Sequence, residues 1–152
     1  MRQIPMVFLA SLMALFSLVG FTRARASSDP RETKPENKLI GTWKQVSGKF
    51  NGQEFRPPAG TTVLKHITPT QFMFADYDSD GKVNDAFGGP YTLKGDKYEE
   101  TPMYGTGDLH WLKGKPQSFT WKVEGNKWLH SGTLSSGATI EEVWERVEGA
   151  EK

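Results

Sequence analysis

The chain predicts an all-β domain: an antiparallel up-and-down meander of eight to ten strands closed into a barrel. Three observations predict it. Beyond residue 38 the sequence is a series of short runs in which polar and apolar residues alternate, turn-forming residues separate most of the runs, and no apolar period of 3.6 residues lasts beyond two turns. Short turns join neighbouring strands antiparallel, and a meander of this length closes on itself so that no long strand is left unpaired.

The first 26 residues stand apart from that pattern. Arg2 precedes an apolar stretch from Val7 to Phe21, and Ala24-Arg25-Ala26 fits the small-x-small rule of a signal-peptidase site, so residues 1–26 read as a cleaved signal peptide. The fifteen residues of that stretch fall short of the roughly 20 that span a bilayer as a helix. The expected location is secreted or periplasmic, and bacterial, because an exported chain without cysteine does not follow the disulfide-stapled plan of small eukaryotic secreted domains. Residues 27–37 (SSDPRETKPEN) are polar with two prolines, the composition of a disordered linker. The barrel is expected over residues 38–148, with 149–152 as a C-terminal tail.

Within the barrel the strand runs are residues 39–50, 61–68, 71–77, 82–86, 90–93, 98–104, 118–123, 127–134 and 139–147. Between them stand Asn51-Gly52, Ser79-Asp80-Gly81, Gly95-Asp96, Gly125-Asn126 and Ser136-Gly137, residues that tolerate positive φ or cap a turn. Arg56-Pro57-Pro58-Ala59-Gly60 is too rich in proline for a strand and predicts a loop over one mouth. Gly88-Gly89, followed by Pro90, predicts a bend between two strands, and residues 105–117 an irregular lid or helical turn.

Composition narrows the chemistry. With no cysteine there are no disulfides, no thiol catalysis and no thiolate metal sites. Loss of the leader removes three arginines and no acid, so the formal charge goes from +1 to −2 and no basic field for nucleic acid remains. The mature chain is long enough for one unstapled core, and once the leader is cleaved nothing inserts stably in a membrane. A monomer is expected.

Alternation also sorts the side chains by face. Phe72 with Phe74, and Phe119 with Trp121 and Val123, point inward. Tyr98 shares a face with Glu100, Trp128 with His130, and Trp144 with Ile140, Glu142 and Arg146. A lumen holding Glu100, His130, Glu142 and Arg146 among aromatics is either a satisfied polar network, since ionised groups are buried only when paired, or a pocket for a ligand with a polar head.

Lys38-Leu39-Ile40-Gly41-Thr42-Trp43 at the start of the first strand resembles the lipocalin signature, in which the tryptophan closes the barrel floor beneath an arginine from near the last strand. Arg146 in Val143-Trp144-Glu145-Arg146-Val147 stands where that arginine belongs, so the resemblance implies a cation–π pair between Trp43 and Arg146. Lys65-His66-Ile67-Thr68-Pro69-Thr70-Gln71-Phe72, together with Gly88-Gly89-Pro90-Tyr91-Thr92-Leu93 followed by Gly95-Asp96, Tyr98 and Glu100, is similar to a group of bacterial exported lipocalin-like (calycin-type) domains. That resemblance covers most of residues 38–147 and implies a fold and no activity. The Thr-Asp-Tyr motif and the disulfides of lipocalin transporters are missing, so carriage of their ligands is not implied. Trp144 and Arg146 resemble in spacing the carboxylate-holding pair of fatty-acid-binding proteins.

Asp76, Asp78 and Asp80, with Gly81 and Val83, match the first half of an EF-hand calcium loop, but the twelfth position is Phe87 and no flanking helix is predicted. An acidic hairpin turn accounts for the same residues, and no metal is expected. The sequence lacks a Gly-x-Ser-x-Gly elbow, a phosphate-cradling glycine loop and a His-Glu-x-x-His helix, and no cofactor is expected. The combined expectation is a non-enzymatic binding protein for a small hydrophobic or amphipathic molecule, lined by Trp43, Phe72, Phe74, Tyr91, Tyr98, Glu100, Trp121, His130, Glu142, Trp144 and Arg146. Two alternatives stand beside it: an interaction module of the cell envelope with a filled barrel, and a barrel enzyme using Glu100, His130 and Glu142.

Overall fold

The structure is a computed structural model and describes residues 36–107 and 112–149. The expected signal peptide, the linker up to residue 35, part of the predicted lid and the last residues of the tail lie outside the described residues. Ten strands follow one another: β1 (Gly41–Phe50), β2 (Gln53–Phe55), β3 (Thr62–Ile67), β4 (Gln71–Tyr77), β5 (Val83–Lys94), β6 (Lys97–Glu100), β7 (Tyr104–Gly105), β8 (Gln117–Glu124), β9 (Lys127–Thr133) and β10 (Thr139–Arg146). There is no helix among the described residues. Eight strands, all but β2 and β7, form a ring of antiparallel neighbours, closed where β1 pairs with β10 from Trp43 opposite Arg146 to Phe50 opposite Ile140. The fold is therefore the all-β antiparallel meander barrel that the alternation predicts.

Closing the ring requires the first strand to serve two neighbours along one edge. The β1–β10 register slips between Gln45 and Ser47, so Val46 forms a bulge and the strand bends. Before the bulge β1 pairs with β3, Trp43 lying opposite Lys65, and beyond it with β2, Gly48 lying opposite Phe55. Asn51 and Gly52, at φ of 48° and 80°, make the two-residue turn into β2. That strand was not among the predicted runs. Its three residues, between Asn51-Gly52 and the Pro57-Pro58 loop, are too few to display a period.

The expected bend at Gly88-Gly89 is absent, and β5 runs through both glycines as one strand. What the glycines provide is close approach. A Cβ on Gly89 would run into the Thr101 carbonyl, and one on Gly88 into the Tyr104 ring. The first half of β5 can then pair with β7 and the second half with β6, which is also why the predicted run 98–104 is two strands.

Inward positions from every barrel strand meet in one core: Trp43, Val63, Ile67, Phe72, Tyr91, Tyr98, Phe119, Trp128 and Trp144, with Leu39 beneath them. The floor is tied by the last strand. Arg146 lies 4.1 Å from the centroid of the Trp43 ring and donates to the Ile40 and Lys38 carbonyls at 2.8 and 2.6 Å, while the Trp43 indole donates to the Leu39 carbonyl at 2.7 Å. The cation–π pair implied by the resemblance is present.

Candidate functional site

The lumen is built by alternation. In β3, Val63 and Ile67 face inward, so Lys65 between them must face inward too. Its ammonium is buried and lies 2.9 Å from Glu100 Oε2. It also lies 5.7, 5.9, 5.5 and 5.2 Å from the ring centroids of Phe72, Tyr98, Trp128 and Trp144. The Tyr98 hydroxyl donates to the same Glu100 oxygen at 2.7 Å, which fixes the carboxylate. Burial, and then the Glu100 charge beside it, push the Tyr98 hydroxyl well above the usual phenolic range.

A second polar group sits one row away. His130 Nε2 pairs with Glu142 Oε2, the Gln45 amide donates to Glu142 Oε1 at 2.7 Å, and the Trp144 indole donates to Oε2 at 3.2 Å. Burial pushes the Glu142 carboxyl up. The His130 charge and hydrogen bond, the Lys65 charge and the Trp144 N–H together outweigh it and hold the group below the usual carboxylate range. Trp128 Nε1 and His130 Nδ1 are buried without a hydrogen-bond partner among the described residues, the two rings lying against each other with centroids 4.9 Å apart.

Of the residues predicted to line a pocket, Trp43, Tyr98, Glu100, His130, Glu142 and Trp144 lie together in the core. Trp43, Tyr98 and Trp144 are 0 % exposed, as is Trp128. Trp128 packs on Trp43, Tyr98 and Trp144 at centroid distances of 5.7, 5.4 and 6.0 Å. The four rings are packed to the density of a protein interior. Tyr91 bridges outward, donating to the Thr68 carbonyl at 2.7 Å and accepting from Asn37 at 2.6 Å. Nearer the mouth Phe74 stacks on Phe87, while Trp121 is half-buried and donates to the Gly95 carbonyl at 3.1 Å. Arg146 belongs to the floor.

The trio suggested for an enzyme divides between the two networks, Glu100 with Lys65 and His130 with Glu142, and the His130 side chain is 1 % exposed. The aspartates of the calcium-like stretch are engaged by the hairpin itself. Asp78 Oδ1 accepts the amides of Asp80 and Lys82, and Asp76 Oδ1 that of Asp85. Among the described residues no group of three or more acids and histidines is placed to hold a metal ion.

A cleft of about 850 Å³ lies elsewhere. Lys49, Thr120, Leu129, Ser131, Glu141 and Val143 line it. By alternation these side chains point away from the lumen, so most of the cleft lies on the outer face of β8, β9, β10 and the upper half of β1, while Trp121, His130 and Glu142 on the same strands also border it.

Two residues of the network, Lys65 and Gln45, are not among those predicted. The signal for Lys65 is a lysine flanked at two residues on either side by β-branched residues, Val63 and Ile67, in a strand whose inward face is otherwise apolar. Gln45 carries a similar signal, two residues after Trp43.

Ring closure, strand order and a tryptophan–arginine floor define a lipocalin-like barrel. Solved structures agree. An uncharacterized protein from Bacteroides eggerthii aligns over 72 % of this chain and 99 % of its own, with a TM-score of 0.54 and 13 % identity. A lipocalin-like protein from Bacteroides uniformis aligns over 73 % of this chain and 100 % of its own, with a TM-score of 0.53 and 15 % identity. At these identities the likeness is one of fold. No protein-family model matches the chain, and no curated protein sequence matches it.

Proposed function

We propose that this protein is an exported, non-catalytic binding module whose barrel is filled by its own side chains and whose recognition surface is the outside of that barrel. The observation that carries the reading is the complete burial of Trp43, Tyr98, Trp128 and Trp144 against one another and around the Lys65 ammonium. A barrel of this strand number has an interior that side chains can fill. Export is supported by the Val7–Phe21 stretch and Ala24-Arg25-Ala26. N-terminal sequencing of the secreted or periplasmic protein is expected to begin at Ser27.

Native mass spectrometry of protein purified from its own host is expected to find no bound small molecule. A panel of fatty acids and haem is expected to leave tryptophan emission and melting temperature unchanged. A co-purified molecule that shifts the emission would overturn the filled-barrel reading.

The outer cleft favours a second reading, in which a small, partly apolar molecule is held there. Its volume of about 850 Å³ falls in the range of small-molecule sites, roughly 300–1,000 Å³. Leu129 and Val143 give it an apolar floor, with Lys49 and Glu141 beside them. Under that reading Leu129→Glu abolishes binding while the packing of Trp43, Trp128 and Trp144 in the lumen stays as it was.

A further inference from the structure

We propose that the lumen is an alkylammonium receptor occupied in cis by Lys65, and that a free primary alkylammonium ion takes the same seat when the lysine side chain is shortened. The inference rests on the filled-barrel reading and adds to it the chemistry of the seat.

A lysine facing into an apolar core is costly unless everything around it answers its charge. Here it does. The Lys65 side chain is 3 % exposed, and its ammonium lies 2.9 Å from one carboxylate oxygen. That oxygen also accepts the Tyr98 hydroxyl, so it is aimed before the lysine arrives. Four aromatic rings lie around the ammonium with centroids between 5.2 and 5.9 Å away, within the range at which a ring face attracts a cation. The four rings come from different strands, β4, β6, β9 and β10, so the cage is a product of barrel closure and not of local sequence.

An aromatic cage with one aimed carboxylate is the chemistry that recognises an alkylammonium ion. The same geometry sets the selectivity. The contact with Glu100 needs an N–H donor, which a quaternary ammonium lacks, and the rings need a positive charge, which an alcohol lacks. Lys65→Ala removes three carbons and the nitrogen, and n-propylammonium replaces those atoms. Apolar cavities made by truncation inside other proteins take up small molecules in this way.

In the wild-type protein, NMR is expected to show the Lys65 ammonium protons exchanging slowly enough to be seen and its Cε protons shifted upfield by the rings. A Lys65 resonance with ordinary shifts and fast exchange would overturn the proposal without any variant. In Lys65→Ala, millimolar n-propylammonium chloride is expected to raise the melting temperature by several degrees. Equal concentrations of n-propanol, tetramethylammonium chloride or sodium chloride are not expected to do so. If the variant does not fold unaided, its refolding yield with and without n-propylammonium is the readout.

The double variant Lys65→Met with Glu100→Gln, which fills the cage with apolar atoms and removes both charges of the Lys65–Glu100 pair, is expected to fold and to ignore the amine. A Lys65→Ala protein that gains neither melting temperature nor refolding yield from n-propylammonium beyond that from n-propanol overturns the proposal and leaves the filled barrel standing. Uptake of a fatty acid or haem into the wild-type lumen overturns both.

Discussion

Trp43 carries more of the floor than any other single side chain. It is fully buried, donates to the Leu39 carbonyl, stacks under Arg146 and packs on Trp128. Trp43→Ala should cost about 3–5 kcal/mol, a large part of the roughly 5–15 kcal/mol that holds an ordinary domain; urea denaturation checks it. Glu142 sets the acid limit in a different way. Its folded carboxyl lies below the ordinary value because His130, Lys65 and Trp144 outweigh burial. A depressed carboxyl contributes stability that is complete above the unfolded pKa, about 4.3, and is lost as pH falls through the lower folded pKa. Glu142→Gln is therefore expected to flatten the acid limb of a plot of melting temperature against pH and to lower the plateau above pH 5. A variant whose acid limb keeps its slope would show that other carboxyls set it.

Among the elements, the strands that were legible in the sequence are those with four or more alternating residues flanked by turn residues, such as β4 between Thr68 and Gly81. Those that were not legible owe their form to partners distant in the chain. β2 exists because β1 bends at Val46 and leaves its upper edge for a partner. β5 passes through Gly88 and Gly89 because Tyr104 and Thr101 come close there. Alternation named most of the lumen residues, but it does not say how they are satisfied. Glu100 was visible as inward-facing, whereas its partner Lys65 lies 35 positions away and is paired with it only by the barrel. The corner between β1, β2 and β10 offers a direct check. A Cβ on Gly48 would meet the Glu141 carbonyl and the Phe55 ring, and the carbonyl cannot move without breaking the strand pair. Gly48→Ala is expected to destabilise by about 1–3 kcal/mol and to release β2, read as faster amide hydrogen exchange at Gln53–Phe55 with β4 and β5 unaffected.

At the scale of the whole molecule, the contacts that finish the barrel are the most distant in sequence. Arg146 reaches the Ile40 carbonyl across 106 positions, and the β1–β10 seam forms only when both ends of the domain have been brought together. Topologies dominated by such pairings fold in roughly milliseconds to seconds. Stopped-flow refolding is expected to fall in that range, and Arg146→Ala is expected to slow it if the seam forms in the transition state, or to speed only unfolding if it forms afterwards. The indole cluster has an optical consequence. Trp43, Trp128 and Trp144 form a chain with centroids 5.7 and 6.0 Å apart and planes inclined at 66° and 29°. Transition dipoles held that close and out of parallel share their excitation, so the native protein is expected to give a bisignate far-ultraviolet circular dichroism couplet from the indoles. Because the couplet requires β1, β9 and β10 together, its loss would report the opening of the seam itself, with no label attached.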